Sequence, residues 1–249
     1  MARVDYEQVA PDYIRGRGLP EDGLQGWREA VSPFLRGLSL PLVDIGSGAG
    51  QFSPLFATWF GIEVVGVEPS AAMRAEAIAH NSHPSVSYLP GDAQHLPLAA
   101  DSCGAAWLST VIHHIPDLPG AAREIGRVLA PQAPVLIRSA FPGRTGRITL
   151  FRFFPEAATV VETFPSLWDV ARDFGAAGFT LDSVTPVPQV SFRSLEEARA
   201  RAALRADTTL RAIDDDAFAA GLRRIEDAIA AGSEGPLIDY LDLVVLRHS

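Results

Sequence analysis

One stretch constrains this chain more than any other: Pro41-Leu42-Val43-Asp44-Ile45-Gly46-Ser47-Gly48-Ala49-Gly50, an apolar run that ends in three alternate glycines. Leu42, Val43 and Ile45 read as a short strand buried on both faces, because apolar residues without polar alternation suit a parallel sheet covered by helices. Asp44 breaks the run. A carboxylate is costly to bury without hydrogen bonds, so it is expected at the open carboxyl end of the strand, facing backbone amides or a ligand. The glycines permit positive φ and let the main chain approach a bound molecule. The stretch reads as a ligand loop; a tight strand-to-helix turn without a ligand is the plain alternative.

Val64-Val65-Gly66-Val67-Glu68 is a second buried strand ending in an acid. It falls about 20 residues beyond the glycines, where an acidic residue holds ribose hydroxyls in nucleotide-type α/β sites. The dinucleotide fingerprint itself fails at Gln51, where a third glycine or an alanine belongs. With Val67-Glu68-Pro69-Ser70 and Gly91-Asp92-Ala93 following in order, the chain resembles the class I S-adenosylmethionine-dependent methyltransferases. It looks most like their small-molecule, ubiquinone-biosynthesis-like branch (methyltransferase type 11), over roughly residues 4 to 140.

The resemblance implies a doubly wound, Rossmann-like α/β fold: a seven-stranded, mostly parallel sheet with an antiparallel last strand and a helical cap. It implies S-adenosyl-L-methionine as cofactor and a small organic methyl acceptor, with a role in secondary metabolism. Gly46, Ser47 and Gly48 would cradle the cofactor and Glu68 its ribose. Met73 would lie at the adenine, with Asp92 and Ala93 bonding it, and Pro69, Gln94 and Ser109 would be further cofactor contacts. Tyr13 and Arg17 would lie near the methionine carboxylate. Met73 as core filler and Tyr13 and Arg17 as surface residues are the alternatives.

A hydrophobic fraction of 47% with 20% charged residues over 249 positions describes a globular chain. The net charge of −9 argues against nucleic acid or an acidic membrane surface as partner. No apolar run approaches a membrane span and no leader pattern opens the chain, so a cytoplasmic monomer or homodimer is expected. Cys103, the single cysteine, reads as a buried inert thiol. All 21 basic residues are arginine, which removes Schiff-base lysine chemistry and the phosphate-loop lysine. A nicotinamide-dependent oxidoreductase and a non-catalytic, repurposed cofactor fold are the competing functions.

Periodicity predicts helices over 4–17, 24–38, 52–60, 71–79, 118–129 and 167–177, and strands over 86–89, 105–109, 135–139, 179–187 and 241–247. Residues 1–140 are expected to form the cofactor-binding core, completed by 166–189 and 237–249. Segments 141–165 and 190–236, the latter with helices at 194–206 and 214–231, are expected to form a substrate cap. A metal site is not expected, since His113, His114 and Asp117 crowd one short turn. His113 and His114 are the candidate catalytic pair, each able to take a proton at neutral pH, with His114 preferred. Arg144, Arg147 and Arg152 are candidates to hold an anionic group of the acceptor.

Overall fold

Residues 18–232 and 235–248 are described in a computed structural model, so the predicted helix over 4–17 lies outside them, as do Tyr13 and Arg17. The short aliphatic runs form parallel strands: β1 (Leu42–Ile45), β2 (Val64–Val67), β3 (Val86–Leu89), β4 (Ala105–Ser109) and β5 (Pro134–Ser139). Two longer strands, β6 (Phe179–Phe192) and β7 (Leu237–His248), complete a sheet in the order β3-β2-β1-β4-β5-β7-β6. β7 is antiparallel to both its neighbours, as the seven-stranded reading requires. Strand order reverses between β1 and β4, and ligands bind at the carboxyl ends of strands beside such a switch point.

Ten helices are described: α1 (Gln25–Leu35), α2 (Ser53–Phe60), α3 (Ala71–His80), α4 (Leu118–Val128), α5 (Thr149–Phe153), α6 (Pro155–Val161), α7 (Leu167–Ala176), α8 (Leu195–Ala203), α9 (Thr208–Arg211) and α10 (Asp215–Ala230). Alternate strand residues serve the two faces. Val43, Ile45, Ala106, Leu108, Val135 and Ile137 pack with Ile125 of α4 and Phe174 of α7. Leu42, Trp107 and Leu136 pack with Trp27 of α1 and Phe56 of α2. Asp44 and Arg138 share the parity of this second face, near its upper edge. A third cluster joins Phe153, Phe154 and Ala157 to Leu195, Leu210, Ile213 and Ile225, uniting both insertion segments.

Four boundaries differ from the periodicity by more than one residue: the ends of α1, of the helix expected over 194–206 and of β6, and the start of β7, which pairs from Leu237 and not from Leu241. α1 stops at Leu35, because Gly37 turns left-handed at φ +75°. The helix expected over 194–206 ends at Ala203; Arg205 takes φ +48°, and Asp207 caps α9 by accepting the Thr209 N–H at 2.8 Å. In the 141–165 insertion, where no helix is predicted, α5 and α6 are parted at Phe154, whose backbone is steered out of helical geometry by Pro155. β6 runs on past Val187 through Pro188 to Phe192. Prolines usually end a strand, but β6 is an edge strand, where a missing N–H can face outward at no cost to the ladder. A Cβ placed on Gly26 of α1 would lie 2.3 Å from the Pro188 carbonyl oxygen, so the first helix lies against that edge.

Candidate active site

The glycine loop folds over the end of β2. Gly46 and Ser47 both donate their N–H to the Val67 carbonyl, at 2.8 and 3.2 Å. Gly46, Gly48 and Gly50 all take positive φ, +67°, +55° and +79°, so the loop is left-handed at every second residue. Glu68 braces it: one carboxylate oxygen accepts the Gly48 N–H at 3.0 Å and the other the Ser70 N–H at 2.9 Å. Ser70 in turn caps α3 through Met73 N–H, and buried Met73 packs beneath Gly48. Asp92 spends Oδ1 on the N–H groups of Gln94 and His95, closing its own turn at 2.8 and 3.0 Å. Ala93 is buried, Pro69 is exposed, and Gln94 lines a separate surface hollow with Asp117 and Arg123.

Asp44 is 2% exposed, and its carboxylate accepts the Ser53 hydroxyl at 2.6 Å. Of the two surroundings expected, backbone amides or a ligand, a side-chain hydroxyl from the first turn of α2 takes the place of the amides, and Asp44 also lines the cavity above the loop. Burial is the main reason its pKa rises from 3.8 to about 7; the Ser53 bond opposes the rise and nearby Glu68 adds to it. The folded protein therefore holds a proton here that the unfolded chain releases near 3.8. This stabilisation is full below the unfolded value and is lost as pH rises toward and through about 7. Urea unfolding of the ligand-free protein should give wild-type stability falling relative to Asp44→Asn between pH 5 and 8. A constant difference across that window would refute the assignment.

Above the loop, a cavity of about 380 Å³ runs from Asp44, Gly46, Ser47 and Gly48, past Ser109 and the histidines, to Leu150, Phe151 and Phe164 of the insertion. The histidines enter it because the chain leaves β4 through Thr110 at φ +53°, a costly conformation for a β-branched residue. Its N–H is fixed on the Arg138 carbonyl at 2.7 Å, and the Ile112–His114 turn follows. His113 and His114 both line the wall, with ring centroids 4.1 Å apart. Asp117 points elsewhere and caps α4 through the Gly120 N–H.

Arg138 and Arg201 are on the wall; Arg144, Arg147 and Arg152 are not. Arg144 is paired with Asp242, Arg147 lies over the Tyr240 ring and Arg152 over Phe153. Arg138 is 6% exposed; its guanidinium donates to Gln189 Oε1 at 2.6 Å and to Ser109 Oγ at 3.2 Å, over the Trp27 and Phe52 rings. Its signal was in the sequence: like Asp44, it is a charge closing an otherwise apolar strand. Gln189 and Phe164 carried no such mark. Cys103 is buried at 1% exposure, and burial pushes its thiol pKa up, so it stays protonated.

The glycine cradle leaves no room for a Cβ at Gly46, where one would meet Val111 at 2.4 Å. Ser47 Oγ beside it is buried and has no hydrogen-bond partner among the described residues. Close backbone, an unmet hydroxyl and a buried carboxylate at a strand-order switch fit a nucleoside-bearing ligand such as S-adenosylmethionine.

Residues 43–137 match the methyltransferase domain family. The chain is 35% identical over 148 residues to a bifunctional biotin-biosynthesis protein of Cellvibrio japonicus, covering 56% of this chain and 28% of that one. It is 28% identical over 180 residues to a 2-phytyl-1,4-naphthoquinone methyltransferase of Thermosynechococcus vestitus, covering 69% and 76%. A candidate methyltransferase from an antibiotic-biosynthesis pathway of Anabaena variabilis shares the fold at a TM-score of 0.70 and 19% identity, over 94% of this chain and 100% of that one.

Proposed function

We propose that this chain, a member of the class I S-adenosylmethionine-dependent methyltransferases, methylates a small, largely apolar acceptor bearing an ionisable hydroxyl or an acidic carbon, as in phenols and hydroquinones. The observation that carries the reading is one continuous cavity joining the glycine loop, two histidines and the apolar residues of the insertion. The naphthoquinone relative supports the same acceptor class, and a place in secondary metabolism belongs to this proposal. When bound, the cofactor supplies a methyl group already activated on a sulfonium centre. Gly46, Ser47 and Gly48 would hold its amino-acid end. Glu68, Pro69, Met73, Asp92 and Ala93 would form the adenosine side, with Tyr13 and Arg17 as further contacts, while Gln94 faces the separate surface hollow.

The protein's own work is then positioning, water exclusion and proton removal. Holding a nucleophile in attack geometry is worth up to roughly 7–11 kcal/mol. Segments 141–165 and 190–236 act as a cap, presenting Leu150, Phe151, Val161 and Phe164 to the acceptor's body. A ring nitrogen of His113 or His114 takes the proton that leaves the acceptor as its nucleophile forms. The test is transfer of isotope-labelled methyl from S-adenosylmethionine to a panel of phenols, 1,4-naphthohydroquinone, amines and carboxylic acids. The phenols or the hydroquinone are expected to accept label. His113→Ala/His114→Ala should lower kcat by roughly 100-fold or more, the usual worth of a general base, with S-adenosylhomocysteine affinity retained. Wild-type turnover in the double variant would remove the histidines from the chemistry.

A further inference from the structure

Phe164 and His113 belong to different parts of the chain and meet face to face. Phe164 follows α6 in the turn that leads to α7, with its N–H bonded to the Val161 carbonyl at 2.9 Å. Its ring is 8% exposed and lies 4.0 Å from the His113 ring at an interplanar angle of 3°. His114 stands on the same short turn, 4.1 Å from His113 and tilted by 47°. All three side chains line the cavity. The χ2 torsion of a histidine is broad and two-fold, so the side chain's own geometry does not select one ring plane. A flat, buried aromatic surface parallel to it does.

We infer that Phe164 is a positioning residue, the contact through which the insertion fixes the plane of the His113 ring at the cavity wall. The inference rests on reading His113 as a group that faces the acceptor. It makes the short turn after α6 part of the proton-transfer apparatus, although Phe164 carries no titratable atom. Separation in sequence from the histidines hides the pairing, which arises only when the insertion packs back on the sheet.

The test uses the full chain, isotope-labelled, with S-adenosylhomocysteine added, and ring-nitrogen spectra of its histidines, His113 being identified by its loss in His113→Ala. Phe164→Leu should broaden the His113 ring signals or average them between tautomers, and Phe164→Met, flexible and of similar volume, should do the same. Phe164→Tyr keeps the flat face and should restore sharp, wild-type-like signals. The S-adenosylhomocysteine dissociation constant should stay within about twofold in all three. Sharp His113 signals in Phe164→Leu and Phe164→Met, or broadening in Phe164→Tyr, would overturn the inference. Full methyl transfer by His113→Ala beside a mobile ring in Phe164→Leu would leave the clamp standing and sink only the catalytic reading.

Discussion

Gly46→Val is expected to weaken S-adenosylhomocysteine binding at least 100-fold, about 3 kcal/mol, while the protein stays folded. Two independent effects add at this residue. Its φ of +67° costs any L side chain about 1–2 kcal/mol, more when β-branched. Its Cβ would also stand 2.4 Å from Val111 Cγ2, a distance at which one of the two must move. Val111 directly precedes the Ile112–His114 turn, so the displacement reaches the histidines. Calorimetric titration reads the affinity and circular dichroism the fold. Gly46→Ala should fall between the two, and adding Val111→Ala to it should recover the steric share but not the dihedral one. Wild-type affinity in Gly46→Val would refute the cradle.

Gly221→Val should loosen the two insertion segments without loosening the sheet. Gly221 sits in α10, and a Cβ there would lie 2.1 Å from two carbons of the fully buried Phe154 ring. A helix backbone against a ring face has no slack, and such overpacking typically costs about 1–3 kcal/mol. The loss should stay local, because Phe154 belongs to the third cluster and not to the two that clasp the sheet. Amide exchange over residues 195–230 should accelerate by roughly 10- to 100-fold with S-adenosylhomocysteine affinity unchanged. Equal acceleration in β1, β4 and β5 would show that the insertion and the sheet unfold as one unit.

The sheet was legible because its signals are local. β3 and β4 match their predicted bounds, and β5 begins one residue earlier. Acids and glycines at the strand ends, Asp44 with Gly46 and Glu68 after Gly66, marked the ligand edge before any tertiary contact was known. The cavity's far wall was not legible. Arg138 meets Gln189 at a separation of 51 positions in the chain, and Phe164 meets His113 at a comparable one. Periodicity in a window of a dozen residues reports which face is apolar, not which distant face it will meet. The same limit misplaced the end of β6: Pro188 is a breaker by composition and becomes acceptable only once the strand is known to be outermost.

That outermost strand bears on how copies of the protein behave in concentrated solution. An open strand edge is a template on which another chain can extend the sheet, the first step of many aggregates. Here Pro186 and Pro188 offer no N–H to an incoming strand, and Gly26 brings α1 against the Pro188 carbonyl. A fourteen-residue edge strand, long enough to be adhesive, thereby lacks two of its donors, and α1 covers its Pro188 carbonyl, both of which hinder intermolecular pairing.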